Sequence, residues 1–287
     1  MDYKILMDVS GELLPDYIRE HEILFLPMEY TLRGENRVCR EPEDRGTLKL
    51  FYDGQRQGDL TQTTQITPTQ YEEFFESVLK NGSQLICLCL SSGLSSTYQS
   101  ACLAASTLQE KYPGKKILPV DTLAATGGMG VLAERAVRNL EKGMDIEENY
   151  RDLVEASHHI QHQFFVQDLM YLRRGGRIGT AEAILGSALS VRPIMKIDTD
   201  GKLVVTDKKR GTKQAIQALF AEFEKHYDEE AADPVYITDC DIEDSSETLS
   251  GMILAKYPGA PVRRVGMSPI IGAHTGPGAL TVCYMGK

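Results

Sequence analysis

Four segments of the chain carry side chains whose types and spacing suit the binding of an anion. Between 91 and 101 the sequence reads SSGLSSTYQSA, directly after the apolar run QLICLCL. Ser91, Ser92 and Ser95 therefore stand where a buried strand ends and a helix begins. Parallel α/β sheets place ligands at that junction, and hydroxyls beside free N–H groups at a helix start suit a carboxylate or phosphate. Ordinary capping by serine explains the same residues equally well. TTQITP (63–68) sets Thr63 and Thr64 ahead of a helix whose cap is Thr67. Capping accounts for Thr67 but not for Thr63. LRRGGRIGTAEA (172–183) ends a helix at paired glycines, with Arg177 just beyond them. Glycine there supplies left-handed backbone, and Arg177 offers a planar fork of donors to a carboxylate. A solvated turn with three arginines is the plainer reading. SPIIGAHTGPGAL (268–280) surrounds His274 and Thr275 with Gly272, Gly276 and Gly278. A histidine in so tight a loop is sterically open to a ligand.

Three further patterns are weaker. Gly128-Met-Gly130 resembles a dinucleotide fingerprint but begins seven residues after Asp121 closes its strand. That is too late for the phosphate turn, so these glycines read as thinning a helix for close packing. His158 and His162 have the i,i+4 spacing of metal ligands, but no Glu or Cys partner is evident. A solvated helix end is the expectation. Gly93-Leu-Ser95-Ser-Thr97 lacks the final glycine of a hydrolase elbow, and nothing in the sequence orients His274 as its base.

The elements that must position these residues alternate from the start. Strand-like runs at 3–8, 22–30, 84–90 and 116–121 are interleaved with helical patterns at 43–56, 67–80, 96–111 and up to Gly143. That order implies a mostly parallel sheet covered by helices. After the helix 146–158 the character changes. Runs 191–198 and 201–207 meet at the turn TDGK and read as an antiparallel pair. Helices at 211–226 and 244–256 and strands at 234–239 and 278–285 follow. The expected architecture is α/β, with domains at 1–158 and 159–287, the second containing antiparallel strands.

Composition narrows the function. The formal net charge of −10 argues against a nucleic-acid surface. Six cysteines form no C-x-x-C pair, and Cys87 and Cys89 alternate on one strand face as small core residues. A reducing cytoplasm fits such usage. The N-terminus lacks the pattern of a signal peptide, and no apolar stretch is long enough to span a membrane. Only transient contact with a membrane surface is left open.

The four segments, in this order, resemble the DegV family of bacterial fatty-acid-binding proteins over essentially the whole chain. MDVS resembles the family's first strand end, and Thr63-Thr64-Gln65-Ile66-Thr67 its T-S-Q-P-S loop. S-S-G-L-S-G-T-Y-Q-S-A is matched at 91–101 with one change, and I-G-x-H-T-G-P-G-A-L at 271–280. L-x-x-G-G-R-I resembles 172–178, and VDTLAATGGMG resembles V-x-D-S followed by G-x-G. The resemblance implies an N-terminal DegV-type α/β domain, a second α/β domain and an acyl chain buried between them. It implies that Thr63 and Ser95 hold the carboxylate, with Arg177 and His274 close by; Ser92 and Thr275, in the same segments, are expected near the ligand as well. The ligand implied is a palmitate-like long-chain fatty acid, with no metal and no other cofactor. Some members serve as the binding subunit of a fatty acid kinase. A dihydroxyacetone-kinase-like partner phosphorylates the bound carboxyl there, feeding phospholipid synthesis. Ile66, Ser96 and Gly179 depart from the family pattern without removing a proposed head-group ligand.

The small-residue run AILGSALSVRPIM (183–195), with Ile184, Leu185 and Leu189, is the expected tunnel wall, and Leu94, Ile270 and Ile271 its mouth. Arg173 and Arg174 are placed to dock an acidic patch on a partner. Two other classes compete with the carrier. One is a serine-dependent acyl hydrolase or transferase using Ser95 and His274. The other is a sensor of a small anion or nucleotide.

Overall fold

The computed structural model describes residues 3–179 and 190–287. The strand β1 (Tyr3–Asp8) is the centre of a four-stranded parallel sheet, ordered β2-β1-β6-β7. Its other members are β2 (Leu24–Leu26), β6 (Gln84–Cys89) and β7 (Ile117–Asp121). A run that reads as one strand over 22–30 is in fact divided at Pro27. Proline has no N–H for a ladder, and the chain leaves the parallel sheet there to form β3 (Met28–Leu32). β3 pairs antiparallel with β4 (Glu35–Cys39) and with the two-residue β5 (Thr63–Thr64), a small sheet the sequence reading did not foresee. Arg33 and Gly34 make the β3–β4 turn with positive φ at both positions, the hairpin geometry that matches strand twist.

Helices follow their sequence signals closely in this half. The exception is α1 (Pro15–Glu20), a short helix the sequence reading did not foresee; α2 is Arg45–Arg56, capped by Asp44 accepting from Gly46 and Thr47 N–H groups. α3 (Pro68–Lys80) starts with a reciprocal capping box between Thr67 and Gln70, with proline at its first turn. α4 (Thr97–Lys111), α5 (Gly127–Glu141) and α6 (Ile146–Ser157) complete the covering.

The later strands form a six-stranded sheet, ordered β10-β9-β8-β13-β11-β12. Its strands are β8 (Ile160–Phe165), β9 (Val191–Ile197), β10 (Leu203–Arg210), β11 (Val235–Asp239), β12 (Val262–Gly266) and β13 (Leu280–Met285). Only β11 and β12 run parallel; the other neighbours are antiparallel, as expected for the 191–207 pair. The helices here are α7 (Met170–Arg174), α8 (Gly211–His226), α9 (Glu243–Lys256) and α10 (Pro269–Thr275).

α5 joins the two large sheets, packing on β1 and β6 and also on β8, β11 and β13. A helix covered on nearly all sides must be thin. Eleven of its residues are buried, and a Cβ added at Gly127, Gly128 or Gly130 would lie 2.5, 2.0 or 2.3 Å from Tyr236, His162 or the Glu12 carbonyl. The close-packing reading of these glycines is therefore correct.

Three expectations fail. β12 was not foreseen, because its VRRV core is only half-buried on a sheet edge. The glycine-rich run 268–280 is not simply a loop, since it contains α10, with Pro269 at its first turn and Gly276 at its C-cap. His162 is not at a solvated helix end: it lies buried in β8, and burial pushes its imidazole down to about 3. His158 alone caps α6. Among the described residues no cluster of His, Cys, Asp and Glu is arranged to hold a metal, and no helix is long and apolar enough to cross a membrane.

Candidate functional site

A cavity of about 390 Å³ lies where the parallel sheet's loops, β5, α7, α10 and the six-stranded sheet meet. Its wall is mainly apolar, including Leu90, Leu94, Leu203, Met267, Ile270 and Ile271. That volume falls in the usual range for small-molecule sites, about 300–1,000 Å³. Each of the four sequence segments contributes polar lining, among it Thr63, Ser95, Arg177 and His274, with Thr64, Gln65 and Thr275 beside them.

Backbone hydrogen bonds pin Thr63, Ser95 and the chain at Arg177, while contacts across the molecule hold His274. Thr63 sits on β5, where it pairs with Tyr30 of β3. Ser95 follows β6 in a tight turn closed by Leu94 and Ser95 N–H groups on the Ser91 carbonyl, at 3.0 and 3.1 Å. Its Oγ accepts from the Thr97 N–H at 3.3 Å and lies 2.7 Å from Thr97 Oγ1. The hydroxyl that lines the cavity thus also satisfies the first N–H of α4, whose N-cap residue is Ser96. Gly93 lets the β9–β10 turn close on this loop, because a Cβ there would meet the Gly201 carbonyl at 2.5 Å.

Arg177 is placed by the end of α7. Gly176 has φ +74°, the Gly176 N–H donates to Arg173 O, and the Arg177 N–H donates to Leu172 O, both at 2.9 Å. This pair of bonds is a Schellman cap, and it throws the Arg177 side chain back over the β6–α4 loop. There Nε donates to the Leu94 carbonyl at 3.1 Å and a terminal nitrogen donates to Gly175 O. Arg177 is half-buried and forms no ion pair among the described residues. Burial lowers its pKa from the usual guanidinium range, though a guanidinium remains charged at any ordinary pH.

His274 lies on α10, which is held from the N-terminal half. Tyr52 donates to Met267 O at 2.8 Å and Gln55 donates to Gly272 O at 2.9 Å. The His274 Nε2 lies 2.8 Å from Thr63 Oγ1, while Nδ1 is buried without a partner among the described residues. Burial first, and then the charge of Arg177, hold the imidazole down at about 4, so it is neutral at neutral pH. A Cβ at Gly175 would come within 2.3 Å of Nδ1, so the glycine before the turn also gives the ring its room.

Other predicted residues divide. Leu94, Ile270, Ile271 and Thr275 line the cavity. Thr275 Oγ1 donates to Ile271 O at 3.3 Å, within its own helix. Ser92 does not line it; its N–H donates to Asp121 at 3.0 Å instead. Ile184, Leu185 and Leu189 lie outside the described residues. Sequence reasoning missed Thr126, His162 and Thr281, which also face the cavity. The alternation of β8 and β13 is a signal that places the last two on one sheet face. A second cavity, of about 380 Å³, shares Thr63, Arg177 and His274 with the first and is lined further by Asp59, Tyr171 and Arg174. Thr63, Arg177 and His274 thus stand between the apolar chamber and a more polar vestibule, and Ser95 faces the chamber alone.

A family model described as an uncharacterised protein of the DegV family matches residues 2–287. A DegV domain-containing protein of Clostridium perfringens is 36% identical, covering 99% of this chain and 97% of its own. Among solved structures, a fatty-acid-binding DegV family protein of Thermus thermophilus is 26% identical, with a TM-score of 0.85 over 99% of this chain and 100% of that one. DegV of Bacillus subtilis, a fatty-acid-binding protein, is also 26% identical, with a TM-score of 0.84 over 100% of both. The chain belongs to the DegV family.

Proposed function

We propose that this protein binds a long-chain fatty acid in the apolar cavity and presents its carboxylate to a kinase partner. The observation that carries this reading is a half-buried guanidinium with no carboxylate partner among the described residues, at the rim of an apolar chamber. Burying a charge without a counter-ion is costly, and a ligand carboxylate removes that cost. The fatty-acid-binding relatives from Thermus thermophilus and Bacillus subtilis support the same ligand class.

The hydroxyls of Thr63 and Ser95 are the direct donors in this reading. His274 has two tautomers, and the one with the proton on Nε2 donates to Thr63 Oγ1. It leaves Nδ1 as an unpaired acceptor, which is tolerated better than an unpaired N–H. The Thr63 proton is then free for the carboxylate. Thr97 backs Ser95 in the same way when its hydroxyl donates to Ser95 Oγ. Arg177, already bonded to two carbonyls, neutralises the head group from behind. An acyl chain of about sixteen carbons gains ~12 kcal/mol gross from burial at about 0.8 kcal/mol per CH₂, of which ordering consumes a sizeable part.

Domains 1–158 and 159–287 would close on the chain between them, and the vestibule beside Thr63 and Arg177 gives a kinase of the dihydroxyacetone-kinase type its approach to the carboxyl. The exposed Arg173 and Arg174 suit an acidic face on that partner. The hydrolase reading has less support, since His274 Nε2 engages Thr63 rather than Ser95 and its Nδ1 has no orienting acid among the described residues. Native mass spectrometry of the purified protein, with extraction and identification of released lipid, tests the proposal. A stoichiometric fatty acid is expected. A lipid-free protein that also refuses added fatty acids would sink it.

A further inference from the structure

The cavity has a second polar group, with no hydrogen bond to Thr63, Ser95, Arg177 or His274. The face of β8, β11 and β13 that covers the start of α5 contributes His162 and Thr281 to the lining, and Thr126 precedes the helix. Two of the three already have partners in the protein. Thr126 Oγ1 donates to Thr238 Oγ1 at 2.9 Å. His162 Nε2 accepts from the Ala125 N–H at 3.3 Å, which leaves the ring proton on Nδ1, against Cys283 Sγ at 3.2 Å. Gly128 makes room for that ring, since a Cβ there would overlap it.

Thr281 is different. Its residue is 3% exposed, it lines the cavity, and its hydroxyl has no hydrogen-bond partner among the described residues. It stands opposite Phe164 on β8 and Thr238 on β11. Its neighbours along β13, Leu280 and Val282, belong to the core on the other face. A plain hydrocarbon chain seated here covers the hydroxyl and leaves it unsatisfied, the unfavourable outcome for a buried donor. Valine would fill the same shape without that loss. A hydroxyl on the ligand removes it, because it can accept from Thr281 or donate to it.

We infer that Thr281 reads a hydroxyl group along the acyl chain, so that this cavity prefers a hydroxylated long-chain acid to its plain counterpart. The inference rests on the fatty-acid reading of the cavity. Delipidated protein would be titrated calorimetrically with stearic acid and with a set of monohydroxystearic acids whose hydroxyl is moved along the chain. One positional isomer is expected to bind about tenfold more tightly than stearate, the scale of one net hydrogen bond. Thr281→Val should abolish that preference while retaining stearate, and Thr281→Ser should keep it. Stearate bound as well as every hydroxy isomer, or a preference that survives Thr281→Val, overturns the inference while leaving the fatty-acid reading intact. Failure of all the acids to bind removes both. Thermal melts of both variants establish that they fold, and loss of the preference in the folded Ser variant would also count against it.

Discussion

Thr63 and Ser95 come from the N-terminal half on short, backbone-pinned segments: a two-residue strand and a tight turn closed on Ser91. Arg177 and His274 come from the later half, on helix ends whose positions depend on contacts across the molecule. The two halves therefore divide the work. In the proposed reading the first offers hydroxyls to a carboxylate, and the second offers a neutral ring against Thr63 and a charge behind the head group. Position here is therefore set twice, once by local hydrogen bonds and once by contacts between the halves.

If that division holds, removing both hydroxyls has the largest effect. Thr63→Val with Ser95→Ala deletes two hydrogen bonds to a charged group, about 1.5–3 kcal/mol each, so affinity for a fatty acid falls roughly a thousandfold. Titration of delipidated protein checks this. A loss below about tenfold would assign the head group to the later half. The next effect tests the contacts between the halves. Glu12 is 1% exposed, and its Oε1 accepts from the Ser268 N–H at 2.8 Å, at the cap of the helix carrying His274. Burial is the main cause that raises its carboxyl from 4.5 to about 7. A group with a raised folded pKa binds its proton more tightly when folded. Its stabilising contribution is therefore full below 4.5 and is lost as pH rises through 7. The loss is about 3 kcal/mol at 1.36 kcal/mol per pH unit. Glu12→Gln should be the more stable protein at pH ~8 and lose that advantage at pH ~4.5. Urea unfolding at both values decides it; parallel curves for the two proteins would end the argument.

What was legible in the sequence follows the same line between local and distant causes. The Thr67 cap, the paired glycines before Arg177 and the serine turn after β6 are local events, and each was readable from its own few residues. Ser268 and Pro269 are the local start of α10, a signal that the loop reading of its three glycines leaves unused. His162 was misread because its burial depends on α5 and β13, far away in sequence. Ser92 was placed near the ligand by adjacency alone, whereas its N–H is turned to Asp121. The 2.8 Å contact of Thr63 with His274 follows from packing, which spacing does not encode; the resemblance to a known family placed both near the head group without joining them.

Two smaller effects sharpen the claim that the later half acts from behind. Arg177→Met keeps the hydroxyls and removes the charge, and it also frees the Leu94 carbonyl. A decrease of about tenfold in fatty-acid affinity is expected, the scale of one partly screened charge interaction. The wild-type affinity should weaken with added salt more than that of the variant. Equal salt dependence would show that Arg177 acts through packing alone.

Gly175→Ala should give the smallest change and the most specific one. The backbone at Gly175 has φ −70°, so alanine is tolerated conformationally and the Schellman cap at Gly176 survives. The new methyl would lie 2.3 Å from His274 Nδ1, and the ring must shift to admit it. A displaced ring loosens the 2.8 Å contact to Thr63 without removing either hydroxyl. The expected loss in affinity is therefore about threefold to fivefold, less than one hydrogen bond. Combined with Thr63→Val the loss should not grow, because the ring then has no hydroxyl left to orient, and a double-mutant cycle measures that coupling directly. Full additivity would mean that His274 does not act through Thr63, and the imidazole would have to be assigned a contact of its own with the head group.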